Sequence, residues 1–168
     1  MIGTVVSATN PTTMLTPVKQ QKIRGGNGSF AIIASRYNAR YVDSMLTAAK
    51  KVLTEAGAKQ IRVIRVPGAF EIPSVAARLA RLSPPCSAIV CLGVILRGQT
   101  THAQQIADAV SMALAQLQIQ HSLPVIHEVL LLENEAQAVA RCLDKKHNRG
   151  AEAAQTALEM ARVMDSMP

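Results

Sequence analysis

The chain is poor in aromatic side chains: its 168 residues include two Phe, two Tyr and no Trp. Rings so few cannot form the stacking platform that holds single-stranded nucleic acid. Charge is sparse too, at 17% of residues, and the basic side chains come in ones and twos, with no run longer than Lys50-Lys51 or Lys145-Lys146. The excess of 18 basic over 11 acidic residues, +7 in all, therefore favours a small anion such as a phosphorylated metabolite over a nucleic acid. Long apolar runs are missing. The longest, Cys86 to Leu96, falls short of the roughly 18 residues that cross a bilayer. The first residues, MIGTVVSATNPTTMLTPVKQ, lack a basic cluster followed by an apolar block, so no secretory signal is read there. The expectation is a soluble, cytoplasmic protein with no membrane or nucleic-acid partner. Cysteine gives neither a disulfide framework nor a close-spaced metal pair: Cys86, Cys91 and Cys142 read as reduced structural thiols. His121 and His127 stand near Glu128 without an HExxH or Cys/His grouping, so no metal site is expected. Neither GxGxxG nor GxSxG occurs, which argues against a dinucleotide cofactor and a serine hydrolase.

What is present is a regular alternation. With 49% hydrophobic residues, the chain suits one domain that buries about 68–70% of the surface of its unfolded form. Residues 1–29, with Pro11, Pro17, Gly25, Gly26 and Gly28, lack periodicity and read as an N-terminal arm, either flexible or crossing to a neighbouring subunit. The domain proper is placed at 30–168. Phe30 to Ala34 is a short, continuously apolar run of the kind that forms a strand covered on both faces. Tyr41, Val42, Met45, Leu46, Ala49, Val52 and Leu53 then recur at helical spacing, with Gly57 as a stop. The unit repeats: strand Ile61 to Val66 and helix Ile72 to Leu82, strand Ser87 to Val94 and helix Thr101 to Leu117, then strand Val125 to Leu131. Asn134 and Asn148 are candidate caps for closing helices over 135–144 and 149–164. Strand-helix alternation at this spacing predicts an α/β fold, a parallel sheet with right-handed crossovers and helices on both faces.

In such sheets ligands gather beyond the carboxyl ends of the strands, so chemistry is sought at 35–38, 67–71, 95–102 and 131–134. Gly93 to His102 runs from a buried strand into a helix. Gly98 allows close backbone approach, Thr100 and Thr101 offer hydroxyls, and the first helical amides lack internal partners. With the helix dipole adding roughly half a positive charge, an anion can be held there, and His102 can exchange protons with it. The alternative is a capped turn with an exposed histidine. Pro67-Gly68-Ala69-Phe70-Glu71-Ile72-Pro73 fixes the turn after the second strand. Locally, Phe70 reads as core and Glu71 as a helix N-terminal charge, or both as ligand contacts. Arg36-Tyr37-Asn38 offers a ring beside an amide, though Tyr37 can also be a packed ring. For Arg141 and Arg149, the default is a solvated surface charge.

Taken in order, Arg36-Tyr37-Asn38, Pro67 to Pro73, Gly93 to His102, and Arg141 followed by Asn148-Arg149-Gly150-Ala151-Glu152-Ala153-Ala154 resemble the 6,7-dimethyl-8-ribityllumazine synthase family over about residues 30–164. The resemblance implies an αβα sandwich on a flavodoxin-like, four-stranded parallel sheet, assembled from pentamers that can stack or close into a sixty-subunit shell, with sites between subunits. It implies condensation of 5-amino-6-(D-ribitylamino)uracil with 3,4-dihydroxy-2-butanone 4-phosphate, without a cofactor, and allows riboflavin synthase as a partner. Carried over residue by residue, Tyr37 stacks on the pyrimidine and Asn38 lies near the ribityl chain. Ala69, Phe70 and Glu71 bind that chain and the pyrimidine edge. Backbone groups of Val94, Ile95 and Leu96 read the heterocycle. Gln99, Thr100 and Thr101 cradle phosphate, and His102 transfers protons. Arg141, from the neighbouring subunit, binds phosphate, and His127 takes a substrate-facing position there. The chain departs from the family's pattern at His127, usually Phe, at Glu128, commonly Gly, at Leu131-Leu132, often a Thr pair, and at Tyr37 in place of Phe or Trp. No insertion of the kind linked to pentamer-only members separates Arg141 from Gly150.

Overall fold

A computed structural model describes residues 27–168; the arm expected over 1–29 lies almost wholly outside them. Four parallel strands, β1 (Ser29–Ser35), β2 (Gln60–Val66), β3 (Ala88–Leu96) and β4 (Val125–Leu132), form one sheet in the order β2-β1-β3-β4. Parallel pairing brings all four carboxyl ends to one edge. The order reverses between β1 and β3, where crossovers diverge to opposite sides and a crevice opens.

Among the described residues, five helices cover the sheet: α1 (Ala39–Glu55), α2 (Ile72–Leu79), α3 (His102–His121), α4 (Glu135–Ala138) and α5 (Arg149–Ser166). Side chains alternate across β1 and β3. Phe30, Ile32, Val90 and Leu92 pack with Val42, Met45, Leu53, Ala154 and Leu158 of α1 and α5. Ala31, Ile33, Ile89 and Cys91 face Ile72, Ala76, Val110 and Leu114 of α2 and α3. Continuously apolar strands are thus spent on two cores, as expected where both sheet faces are covered. Edge strand β2 buries only Val66.

The predicted elements are all present, with ends shifted by a few residues. One differs in kind. In place of a single helix over 135–144, α4 has four residues and passes into a π-helical turn, Val139–Leu143. Asn134 and Asn148 do cap, accepting from Gln137 N–H and Gly150 N–H. The α5 start is pressed against α1: a Cβ on Gly150 would lie 2.1 Å from Met45 O, closer than any side chain allows.

Candidate active site at the carboxyl edge of the sheet

The loops after β1 and β2 are bound together. Arg36 N–H and Tyr37 N–H donate to Pro67 O, both at 3.1 Å. Asn38 opens α1 in the left-handed region at φ 57°, which Asn tolerates better than most residues, and its Nδ2 donates to Val94 O at 2.8 Å. One amide therefore joins the ends of β1 and β3 across the crevice.

Beside it, Tyr37 is 72% exposed and Phe70 59% exposed. Neither ring is packed inside its own chain, and the reading of Phe70 as core is overturned. The two prolines and Gly68 turn the chain into a 3-10 turn, Ala69–Glu71, that carries Phe70 to the rim. Glu71 Oε2 accepts from Gly68 N–H at 2.8 Å, so its reading as a helix N-terminal charge holds. Gly68 leaves room for both neighbours: a Cβ there would lie 2.9 Å from Glu71 Oε2 and 3.1 Å from Tyr37 Cδ2, so both side chains would have to shift. Ala69 is buried against Gly93, 3.4 Å from the position of a Cβ there.

Val94 is 2% exposed with its carbonyl engaged by Asn38, whereas Ile95 and Leu96 are half-buried at the open end of β3. Gln99, Thr100, Thr101 and His102 are exposed. Thr101 caps α3 without a side-chain hydrogen bond, and Thr100 Oγ1 lies 3.4 Å from His102 N. The His102 amide donates to that hydroxyl, and the positive end of a 20-residue helix points at this edge, an arrangement suited to an anion. A Cβ on Gly98 would meet nothing within 4 Å, so the space above this loop is open.

Sequence reasoning missed what holds that loop. Arg97 Nε donates to Glu133 Oε1 at 2.9 Å and its Nη2 to Gln104 Oε1 at 2.7 Å, while Arg97 N–H bonds Leu132 O at 2.8 Å. One guanidinium spans both ends of the 98–103 segment and ties it to the loop after β4. The only advance signal was its place at a strand end.

Two expected site residues stand apart. His127 lies in mid-strand, opposite Cys91 in register, where its Nε2 is 2.9 Å from Ser111 Oγ. Arg141 is exposed on the π turn. No hydrogen bond or ion pair joins either to the residues at the strand ends, among those described.

Arg149, expected as a solvated surface charge, is instead drawn inward. Its Nε donates to Glu128 Oε1 at 2.7 Å and its Nη1 to Glu152 Oε2 at 2.6 Å. Glu128 is 5% exposed. Burial raises its carboxyl above the ordinary glutamate range, opposed by the charge and hydrogen bond of Arg149 and more weakly by the charge of Arg141.

A four-stranded parallel sheet of this order with helices on both faces defines a flavodoxin-like α/β protein, and its carboxyl edge carries two exposed rings, a capped acidic turn and the start of a long helix. Comparison with known proteins narrows this class. A family profile for 6,7-dimethyl-8-ribityllumazine synthase matches residues 27–165. The protein of that name from Stenotrophomonas maltophilia (strain R551-3) is 41% identical over 141 residues, 83% of this chain and 90% of its own. Those from Xanthomonas campestris pv. campestris (strain B100) and Xanthomonas oryzae pv. oryzae (strain PXO99A) are 39% and 40% identical over 148 residues, 87% of this chain and 96% of theirs. The chain belongs to the 6,7-dimethyl-8-ribityllumazine synthase family.

Proposed function

We propose that this chain condenses 5-amino-6-(D-ribitylamino)uracil with 3,4-dihydroxy-2-butanone 4-phosphate, releasing phosphate and water and forming 6,7-dimethyl-8-ribityllumazine in riboflavin biosynthesis. The observation that carries the residue assignment is a division. Tyr37, Asn38, Ala69, Phe70, Glu71, Ile95, Leu96 and Gln99 to His102 lie along one strand edge, while His127 and Arg141 lie elsewhere on the same chain. A site using both groups is completed by a second copy, consistent with a pentamer-based assembly in the cytoplasm, which leaves room for riboflavin synthase as a partner.

In this reading Tyr37 stacks on the pyrimidine, Phe70 and Glu71 border the ribityl chain, and the α3 start with Gln99, Thr100 and Thr101 holds phosphate. The 5-amino group attacks the butanone carbonyl and loses water to give an imine. Proton removal expels phosphate, and the ribitylamine nitrogen closes the ring with loss of a second water. Holding two substrates in contact supplies about 7–11 kcal/mol of barrier reduction. His102 relays protons at the reacting atoms, a contribution of about 10²–10⁴-fold. Arg141 of the neighbour offers a planar fork to the phosphate as its negative charge grows.

The test is to mix purified protein with both substrates and follow lumazine absorbance. Turnover is expected, with Arg141→Ala impairing use of the phosphorylated substrate far more than His102→Ala does. Unchanged activity in Arg141→Ala refutes that ordering. A second reading, a lumazine- or flavin-binding shell subunit without turnover, is favoured by His127 and Glu128 and is established if ligand binds but no chromophore forms.

A further inference from the structure

The turn that carries Arg141 is held by side chains that neither the sheet architecture nor the proposed chemistry requires. Val139–Leu143 is π-helical, a geometry uncommon enough to mark functional positions. Its last carbonyls have no partner within the turn. Cys142 is fully buried, so its carbonyl has no access to water and must be satisfied by the protein.

Two donors meet it. Ser44 Oγ, from α1, donates to Cys142 O at 2.7 Å, and Asn148 Nδ2 donates to the same oxygen. Asn148, 6% exposed, also reaches Ser44 Oγ at 3.2 Å, and its Oδ1 accepts from Gly150 N–H at 2.9 Å. Its oxygen caps α5 while its nitrogen grips the carbonyl one residue beyond Arg141. The intervening loop is closed by Asp144, whose Oδ1 accepts from Lys146 N–H at 2.6 Å and His147 N–H at 2.9 Å. The Cys142 side chain is set in the α1/α5 core beside Ala138. Residue 142 is therefore fixed by both side chain and carbonyl, and exposed Arg141 projects from an immobilised backbone.

We propose that Asn148, supported by Ser44, is a positioning residue for Arg141: it locks the π turn so that the guanidinium is presented to the phosphorylated substrate of the adjoining subunit in one orientation. This rests on the phosphate-binding reading of Arg141. The cap alone does not explain the arrangement, because an N-cap needs only a side-chain oxygen, and the amide nitrogen makes separate bonds.

Asn148→Asp removes the donor nitrogen and sets a carboxylate oxygen against Cys142 O, so Ser44→Ala, which adds no charge, is read beside it. The carboxylate caps α5 as well as the amide does, but it cannot donate to Cys142 O. The expected result is a KM for the phosphorylated substrate raised about tenfold, less than the roughly 10²-fold that a 1 Å misplacement can cost. The KM for the pyrimidine should stay within about twofold, the split that loss of one substrate's binding contact produces. Ser44→Ala should act in the same direction, more weakly. If both variants keep both KM values, Asn148 is a helix cap only and the inference is overturned. Should Asn148→Asp fail to assemble, Ser44→Ala decides by the same split. Arg141→Ala separates the two levels: unchanged KM there defeats the phosphate-binding reading itself. A raised KM in Arg141→Ala with none in Asn148→Asp or Ser44→Ala defeats only the positioning role.

Discussion

Replacing Arg149 with Met removes the cation bonded to the buried carboxylate of Glu128, and the structure sets the size and pH dependence of the loss. Glu128 is 5% exposed, so its charge is left without compensation in a region water scarcely reaches, at a cost of about 3–5 kcal/mol. The reverse change, Glu128→Gln, is much milder. The Arg149 side chain is 31% exposed and keeps Glu152 at 2.6 Å, and the Gln carbonyl still accepts from Nε, so the cost is about 1 kcal/mol. The asymmetry should also vary with pH. Because burial holds the Glu128 carboxyl above its ordinary value, the folded chain keeps that proton to higher pH than the unfolded chain does. Stability therefore falls as pH rises from the ordinary glutamate range, about 4.3, to the raised value. Met at 149 removes the charge and hydrogen bond that restrain the shift, so the window extends upward and the variant's deficit grows across it. Urea unfolding at about pH 5 and about pH 8, at one protomer concentration because association adds to apparent stability, measures this. A deficit in Arg149→Met that does not change with pH, or a larger cost for Glu128→Gln, would refute the reasoning.

Gly150→Ala should cost about 3 kcal/mol, the upper end of the overpacking range, visible as a lowered urea midpoint, because its Cβ would collide with the Met45 carbonyl and backbone cannot yield as a side chain does. His127→Phe gives up one exposed hydrogen bond to Ser111 and, on the proposed reading of the site, gives the neighbour's pyrimidine a phenyl ring. An aromatic contact of about 1 kcal/mol lowers the KM for that substrate about fivefold, checked by steady-state kinetics. Of the three thiols, burial pushes Cys142 up to about 11 and Cys91 higher still, while half-buried Cys86 is raised less. A thiol reagent should label Cys86 alone in the native protein and all three after unfolding, as mass spectrometry will show; rapid native labelling of Cys91 contradicts the burial argument.

Residue types along the chain predicted the edge loops well and the fate of individual side chains less well. An apolar Phe70 reads locally either as core or as a ligand contact, and the prolines and Gly68 decide by carrying it outward. A charged Arg149 reads as solvated, yet a carboxylate from β4 draws it in. Nothing local to 135–144 distinguishes a continuous helix from four α-helical residues and a π turn, since that turn answers to Ser44 and Asn148. The bridging role of Arg97 was equally hidden, because it depends on Glu133 and Gln104 arriving at the same point.

The sequence by itself determined the order of strands and helices, the parallel sheet and the loops that share its carboxyl edge. These follow from apolar periods and turn residues acting over a few positions, which any stretch of chain carries with it. Only the tertiary structure decided which polar groups meet in the interior. Ser44 and Cys142 are 98 residues apart, Ser44 and Asn148 are 104, and Glu128 meets Arg149 only because α5 packs beside β4. Such pairs are chosen by packing geometry, which no local pattern encodes.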